Sequence, residues 1–351
     1  MPDSLRDFHV SAGDWRQSLR RNRSRTRFVI VTFILIYLCI GVLVDLYIQS
    51  GHYPQASLAQ VFVALMTFKL FPTATLILGF IAVISLWVTF AFHDKMILLG
   101  TEYVEVTPET ARNLKEKQLY NVIEEMKVAA GLQYMPRVFI IEADYMNAFA
   151  SGYSEKSALV AITRGLMEKL DRDELTAVMA HELSHIRHMD IKLTLMASVL
   201  ANITLMMVDI LFYSALFSSS GEGHGEGRSS RNHLFWIILF IRYLLPIVTV
   251  LLMLYLSRTR EYMADAGCVE LMRNNEPLAR ALTKIQSDHE QHHDQYAAAY
   301  QSTPHEAVRR EAYIFDPVKQ GVTGTNSPTD MFSTHPGILK RLAAIGIKRK
   351  R

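Results

Sequence analysis

Cysteine is scarce, with two in 351 residues. Cys39 falls in an apolar stretch and Cys268 follows the last one, so neither a disulfide framework nor a thiolate metal site is supported. No Gly-x4-Gly-Lys-Ser/Thr loop occurs, which argues against an integral ATPase. No internal repeat is present. A cleavable signal peptide is also missing. The first apolar stretch is longer than a signal core and ends in Val44-Asp45-Leu46-Tyr47, without a small-residue cleavage site, so it reads as a retained anchor. Net charge of one sign is small, at +3. The basic residues cluster beside apolar sequence, which suits anionic lipid heads better than nucleic acid.

What the chain has in excess is apolar sequence. Half of its residues are hydrophobic, and they concentrate at about 28–48, 72–92, 191–217 and 234–256. Each stretch is about 20 residues or longer, enough at ~1.5 Å per residue to cross a ~30 Å hydrocarbon core. Only a helix satisfies its own backbone there within one segment. Four transmembrane helices are expected. Arg16, Arg20, Arg21, Arg23, Arg25 and Arg27 place residues 1–27 in the cytoplasm by the positive-inside rule. Residues 28–96 then form two spans joined by a short outer loop at 49–71 that holds one basic residue, Lys69. Residues 97–190 return to the cytoplasm, 191–256 form a transmembrane hairpin around Ser218–Asn232, and 257–351 are cytoplasmic again. Asp209 and Arg242 lie inside the apolar runs of the hairpin. Charges at that depth are costly, so they pair across the hairpin, snorkel from a helix end, or are shielded by protein.

The two cytoplasmic segments are of ordinary soluble composition. Apolar residues at helical spacing cover 110–130 and stop near Gly131. Arg137–Ile141 and Ala158–Ile162 read as buried strands, with a polar turn at Ser151–Lys156. Asp171 with Glu174 three residues on makes a capping-box pattern, and a helix is expected from there to His188. Further helices are expected at 269–273, 277–297 and 337–345, with a loop at 316–335.

His181-Glu182-Leu183-Ser184-His185 lies on the capped helix. Residues i and i+4 share a helix face, so both imidazoles can reach one zinc ion. Glu182 then stands beside the metal, placed to take a proton from water. The bland alternative is two surface histidines on a solvated helix. Leu175, Val178, Met179, Leu183 and Ile186 form an apolar stripe that argues against it.

A third ligand is needed. His188 is excluded, because it lies ~10 Å along the axis from His181, whereas ligands of one tetrahedral zinc are only ~3–3.5 Å apart. The metzincin extension would put Gly at 188 and His at 191, and the chain has His188 and Ile191. Glu261 is the better candidate. The hairpin puts His185 and Glu261 at similar distances from one membrane face, ~8–9 Å by helical rise. Two histidines, one glutamate and an open position are the catalytic form of zinc. Asp265, one turn beyond Glu261, can fix the tautomer of a ligand histidine. A cluster of His289, Glu290, His292 and His293 is more simply a solvated helix face than a second metal site.

These residues sit in three blocks: Asn147-Ala148-Phe149-Ala150-Ser151-Gly152, Leu170–His185, and Ser257–Asp265 with Arg-Glu-x-x-Ala-Asp. A weaker fourth is Thr334-His335-Pro336-Gly337, followed by Arg341. In them the chain resembles the HtpX branch of the membrane-integrated gluzincin peptidases, a family that also contains the CaaX prenyl proteases. The resemblance covers roughly residues 105–346. Gly337 departs from the His-Pro-Pro common in the family, which affects only the local turn. The resemblance implies a bacterial inner-membrane endopeptidase of quality control and stress response, acting on misfolded or damaged membrane proteins. It also implies that Asn147 contacts substrate backbone and that His335 stabilises the tetrahedral oxyanion. From the residues alone, Asn147 is equally a turn residue and His335 a loop cap.

The expected fold is mainly α, with four transmembrane helices and a small α+β zincin-like catalytic domain. That domain is divided between 97–190 and 257–351. The expected activity is zinc-dependent hydrolysis of polypeptides near the cytoplasmic face, with Glu182 as general base and acid. Ala158–Ile162, through Ala158 and Val160, is expected to be the edge strand on which substrate adds. An intramembrane-cleaving site is disfavoured by Asp171, Arg172, Asp173, Glu174 and Arg187 on the motif helix. A prenyl-protein protease has more spans. The non-enzyme alternative is a membrane scaffold or holdase with a structural zinc, against which the intact Glu182 argues.

Overall fold

The computed structural model describes residues 8–10, 15–97, 102–152, 154–218, 228–296, 313–315 and 335–349. The chain divides into two compact units. One comprises residues 27–89 and 194–255. The other comprises the sequence up to Thr26, Phe90–Leu193, and everything from Leu256 onward.

Four helices among the described residues are long and apolar enough to cross a membrane. They are α1 (Trp15–His52), α3 (Thr73–Ile97), α7 (Asp190–Ser218) and α8 (Arg228–Met272). Helix α1 starts well before the apolar run, because the arginine-rich stretch contains no Gly or Pro and arginine is a good helix former. The outer loop expected at 49–71 contains a short helix, α2 (Leu58–Met66), started by a capping box between Ser57 and Gln60. Asp45 caps α3 from a distance in sequence: its carboxylate accepts from the backbone N–H groups of Ala74 and Thr75 at 2.8 and 2.9 Å. Asp209 and Arg242 do pair, with Nε to Oδ1 at 2.9 Å, and the guanidinium lies 4.1 Å from the Phe212 ring centroid. The hairpin loop at 219–227 lies outside the described residues.

The second unit is built on a four-stranded sheet. Its strands are β2 (Tyr103–Val106), β3 (Arg137–Ile141), β4 (Ala148–Ser151) and β5 (Leu159–Thr163), in the order β2-β3-β5-β4. Strands β3 and β5 are parallel, and the other two pairings are antiparallel. This order corrects one expectation. The strand at Ala158–Ile162 is not an edge: Val160 sits between Val138 and Ala150, and the Ala158 carbonyl accepts from Arg137 N–H. The edge beside it is β4, which is too short and too uniformly buried to announce itself by alternation. A two-stranded sheet pairs β1 (Phe8–Val10) with β6 (Ile347–Arg349).

Helices α4 (Leu114–Ala130), α5 (Arg164–Lys169), α6 (Arg172–Arg187), α9 (Glu276–Gln291) and α10 (Ile338–Ala344) complete this unit. The Asp171–Glu174 capping box that starts α6 is present in both directions. Helix α6 is central, packed on α4, α9 and β4, and is buried without a break from Ala177 to Ile186. No separate helix exists at 269–273, because α8 runs on through Gly267, packed against Ser184, to Met272. The loop expected at 316–335 lies outside the described residues up to 334.

Candidate active site

Helix α6 brings His181, Glu182 and His185 to one buried place, and α8 brings Glu261 and Asp265 to meet them. The close approach of these helices depends on Gly267. A Cβ there would lie 2.6 Å from Ser184 Oγ and 2.9 Å from Ser184 Cβ. Cys268 next to it donates to the Ala177 carbonyl at 3.2 Å. Burial on this face therefore fixes how far the Glu261 side chain has to reach.

The three candidate ligands converge. His181 Nε2 and His185 Nε2 are 3.2 Å apart. Glu261 places Oε2 3.7 Å from His181 Nε2, and Oε1 3.5 Å from His185 Nε2. Donors on a tetrahedral zinc at ~2.0–2.1 Å are separated by ~3.3–3.4 Å. With one atom from each residue the three lie within 4.8 Å of one another, close enough to be drawn onto one ion. His188 has no part in it.

Behind each histidine stands a carboxylate, and behind each carboxylate a guanidinium. His181 Nδ1 lies 3.1 Å from Asp265 Oδ1, and Arg341 donates to both Asp265 oxygens at 2.7 and 3.0 Å. His185 Nδ1 lies 2.7 Å from Asp190 Oδ2, while Arg260 Nε is 3.5 Å from Asp190 Oδ1. Arg341 also approaches Glu261 at 3.3 Å. Four buried carboxylates, Glu182, Asp190, Glu261 and Asp265, share these two guanidiniums, an arrangement that favours a cation among them.

The electrostatics agree. Burial lowers the pKa of His181, with Asp265 opposing it, so that ring is held neutral in the ligand form. Burial also acts against charge on His185, but Asp190 and Glu261 outweigh it and raise its proton affinity. The same carboxylates favour a metal cation at that position. Glu182 is pushed up to about 7, mainly by burial, with Glu261 adding and His185 and Arg341 opposing. No side chain hydrogen-bonds either oxygen of Glu182, and only the Ala150 backbone approaches it. A buried carboxylate with no side-chain partner, beside three groups that could hold a metal ion, is poorly explained by packing.

The remaining candidates are placed differently. His335 is buried with Nε2 3.8 Å from Glu261 Oε1, so it does reach the site. Asn147 is fully buried, and its amide is used within the chain. Nδ2 donates to the Phe315 carbonyl at 2.9 Å, and Oδ1 accepts from Ala148 N–H at 3.1 Å. The Ile314 N–H donates to the Ala148 carbonyl at 2.9 Å, so segment 313–315 covers the start of β4. Of the histidine-rich cluster, His292 and His293 are exposed, but His289 turns inward between Tyr296 and Phe315. Asp190, Arg260 and Arg341 escaped the sequence reading as site residues. Arg260 and Arg341 stand in the blocks described above without a role being read for either, and Asp190 lies outside them.

A model of peptidase family M48 matches residues 113–347, a span that contains every residue of this site. The chain belongs to peptidase family M48. This M48 chain is 36% identical over 332 residues to a "Protease HtpX homolog" of Helicobacter pylori (strain Shi470), covering 95% of this chain and 98% of that one. A "Protease HtpX homolog" of Bacteroides fragilis (strain YCH46) is 30% identical, over 93% and 96% of the two chains. The crystal structure of S. mikatae Ste24p aligns with TM-score 0.48 at 21% identity, over 81% of this chain and 62% of that one. Family and apolar helices together identify a membrane peptidase.

Proposed function

We propose that this M48 peptidase is a zinc endopeptidase that cleaves segments of membrane proteins exposed near the cytoplasmic face of a bacterial inner membrane, in quality control. The observation that carries the zinc reading is the group of His181, His185 and Glu261 with Glu182, which no side chain hydrogen-bonds, beside it. The arginine-rich start of α1 supports the cytoplasmic side. The named relatives support a bacterial protease.

Zinc held by His181, His185 and Glu261 would supply a Lewis acid that polarises the scissile carbonyl and acidifies water. Glu182 takes the water proton and passes it to the leaving amine. Asp265 holds the His181 imidazole in the form that presents Nε2 to the ion. His335 stands on the Glu261 side, where its ring can donate to a developing oxyanion. Substrate adds as an extended strand to the part of β4 around Ala150, the backbone that acts on Glu182. Asn147 supports this edge by holding segment 313–315.

The test compares the full chain with Glu182→Gln, reconstituted in lipid, on an unfolded membrane-protein substrate. The expected result is one zinc per chain in both, with cleavage falling at least ~10²-fold in the variant. Wild-type turnover in Glu182→Gln, or full activity after zinc removal, would overturn the proposal.

A further inference from the structure

Met189 has a positive φ of 52°, unusual for a residue with a Cβ. It sits between the end of α6 at Arg187 and the start of α7 at Asp190. This conformation has a geometric consequence. On an unbroken helix, at ~100° per residue, positions 185 and 190 would face directions ~140° apart. The left-handed residue breaks that periodicity and turns Asp190 back toward α6. Its carboxylate is fully buried, with Oδ2 2.7 Å from His185 Nδ1. The other oxygen meets Arg260 at 3.5 Å, and Arg260 immediately precedes Glu261 on α8. One stretch of α8 therefore offers a ligand to the ion and a cation to the carboxylate behind the second ligand. Strained backbone at such a place is stored where it positions something.

We propose that Asp190, delivered by the left-handed turn at Met189 and held by Arg260, is a positioning residue for the metal. It keeps the His185 proton on Nδ1 and the Nε2 lone pair aimed at the ion. This rests on the zinc reading given above. It adds a counterpart for His185 to the Asp265 partner of His181, so each histidine has its own orienting carboxylate. Two fixed rings leave the ion's open position in a defined direction, which is what a reacting carbonyl needs.

The experiment uses the full chain in detergent, with zinc alone as the probe and a competing chelator to read affinity. Asp190→Asn keeps the shape and removes the charge, and is expected to weaken zinc binding about 10–100-fold. Arg260→Gln should shift it in the same direction by less. Met189→Gly accepts the left-handed turn and should leave affinity unchanged, whereas Met189→Val resists it and should weaken binding. The cobalt(II)-loaded protein should show an altered visible spectrum in Asp190→Asn, which a loss of stability alone would not cause. Should the variants fail to fold, long-range ¹H–¹⁵N spectra of wild-type histidines decide. His185 is expected to carry its proton on Nδ1. A neutral His185 ring with its single proton on Nε2, or unchanged zinc affinity and cobalt spectrum in Asp190→Asn, would overturn the proposal. A wild-type chain that binds no zinc would overturn the zinc function instead, and the tautomer of His185 would still report on Asp190.

Discussion

Arg341 donates two hydrogen bonds to Asp265, at 2.7 and 3.0 Å, and both side chains are almost wholly removed from solvent. The same guanidinium donates to the Ile314 carbonyl at 2.9 Å and approaches Glu261. Burial opposes its charge, yet Asp265 and Glu261 hold its pKa above the ordinary arginine range. It is thus the counter-charge of the α8 carboxylates and the tie between them and segment 313–315.

Arg341→Leu should therefore destabilise strongly, because it leaves the buried Asp265 and Glu261 carboxylates without their guanidinium. Breaking such a pair costs about 3–5 kcal/mol. Denaturant unfolding in detergent measures it. Arg341→Lys keeps a charge without the fork and should fall between the two. A loss below ~1 kcal/mol in Arg341→Leu would mean that water replaces the guanidinium.

Gly267→Ala should push α8 away from Ser184 and separate Glu261 from the histidines. Overpacking of this kind costs about 1–3 kcal/mol. Zinc affinity and kcat/KM should fall together. Ser184→Gly should restore both, since the clash involves Ser184 Cβ as well as Oγ. Failure of that rescue would show that α8 relaxes by another route.

His289 gives the expected pH dependence. Burial pushes its pKa down to about 4, against the favourable carbonyl of Ile285 and charge of Asp288. The unfolded ring titrates near ~6.5. Between those values the unfolded state binds the extra proton, so stability falls as pH drops from about 6.5 to about 4. The full effect is on the order of 3 kcal/mol. Thermal unfolding of wild type and His289→Phe at pH 7 and pH 4.5 measures it. The variant should lose less stability on acidification, and equal losses would remove His289 as the cause.

Much of the chain was legible because its signals are local. Apolar length alone located four helices, and the Asp171–Glu174 box located the start of α6. The i, i+4 spacing of His181 and His185 needs only the pitch of one helix. Glu261 needed one further step, the hairpin that carries α8 back beside α6. Other features were not local. The identity of the edge strand depends on β5 inserting between β3 and β4, and strand order leaves no mark on any single strand. The inward turn of His289 depends on Tyr296 and Phe315 packing over it.

The sequence by itself determined the membrane helices, the metal-binding pattern and the class of chemistry, because each follows from composition or from spacing along one helix. Only the tertiary structure decided what surrounds the candidate ligands. Asp190 reaches His185 through a backbone turn at Met189 that no residue-type preference predicts. Arg341 reaches Asp265 across 76 residues, because burial of two opposite charges is favourable only when folding brings them together.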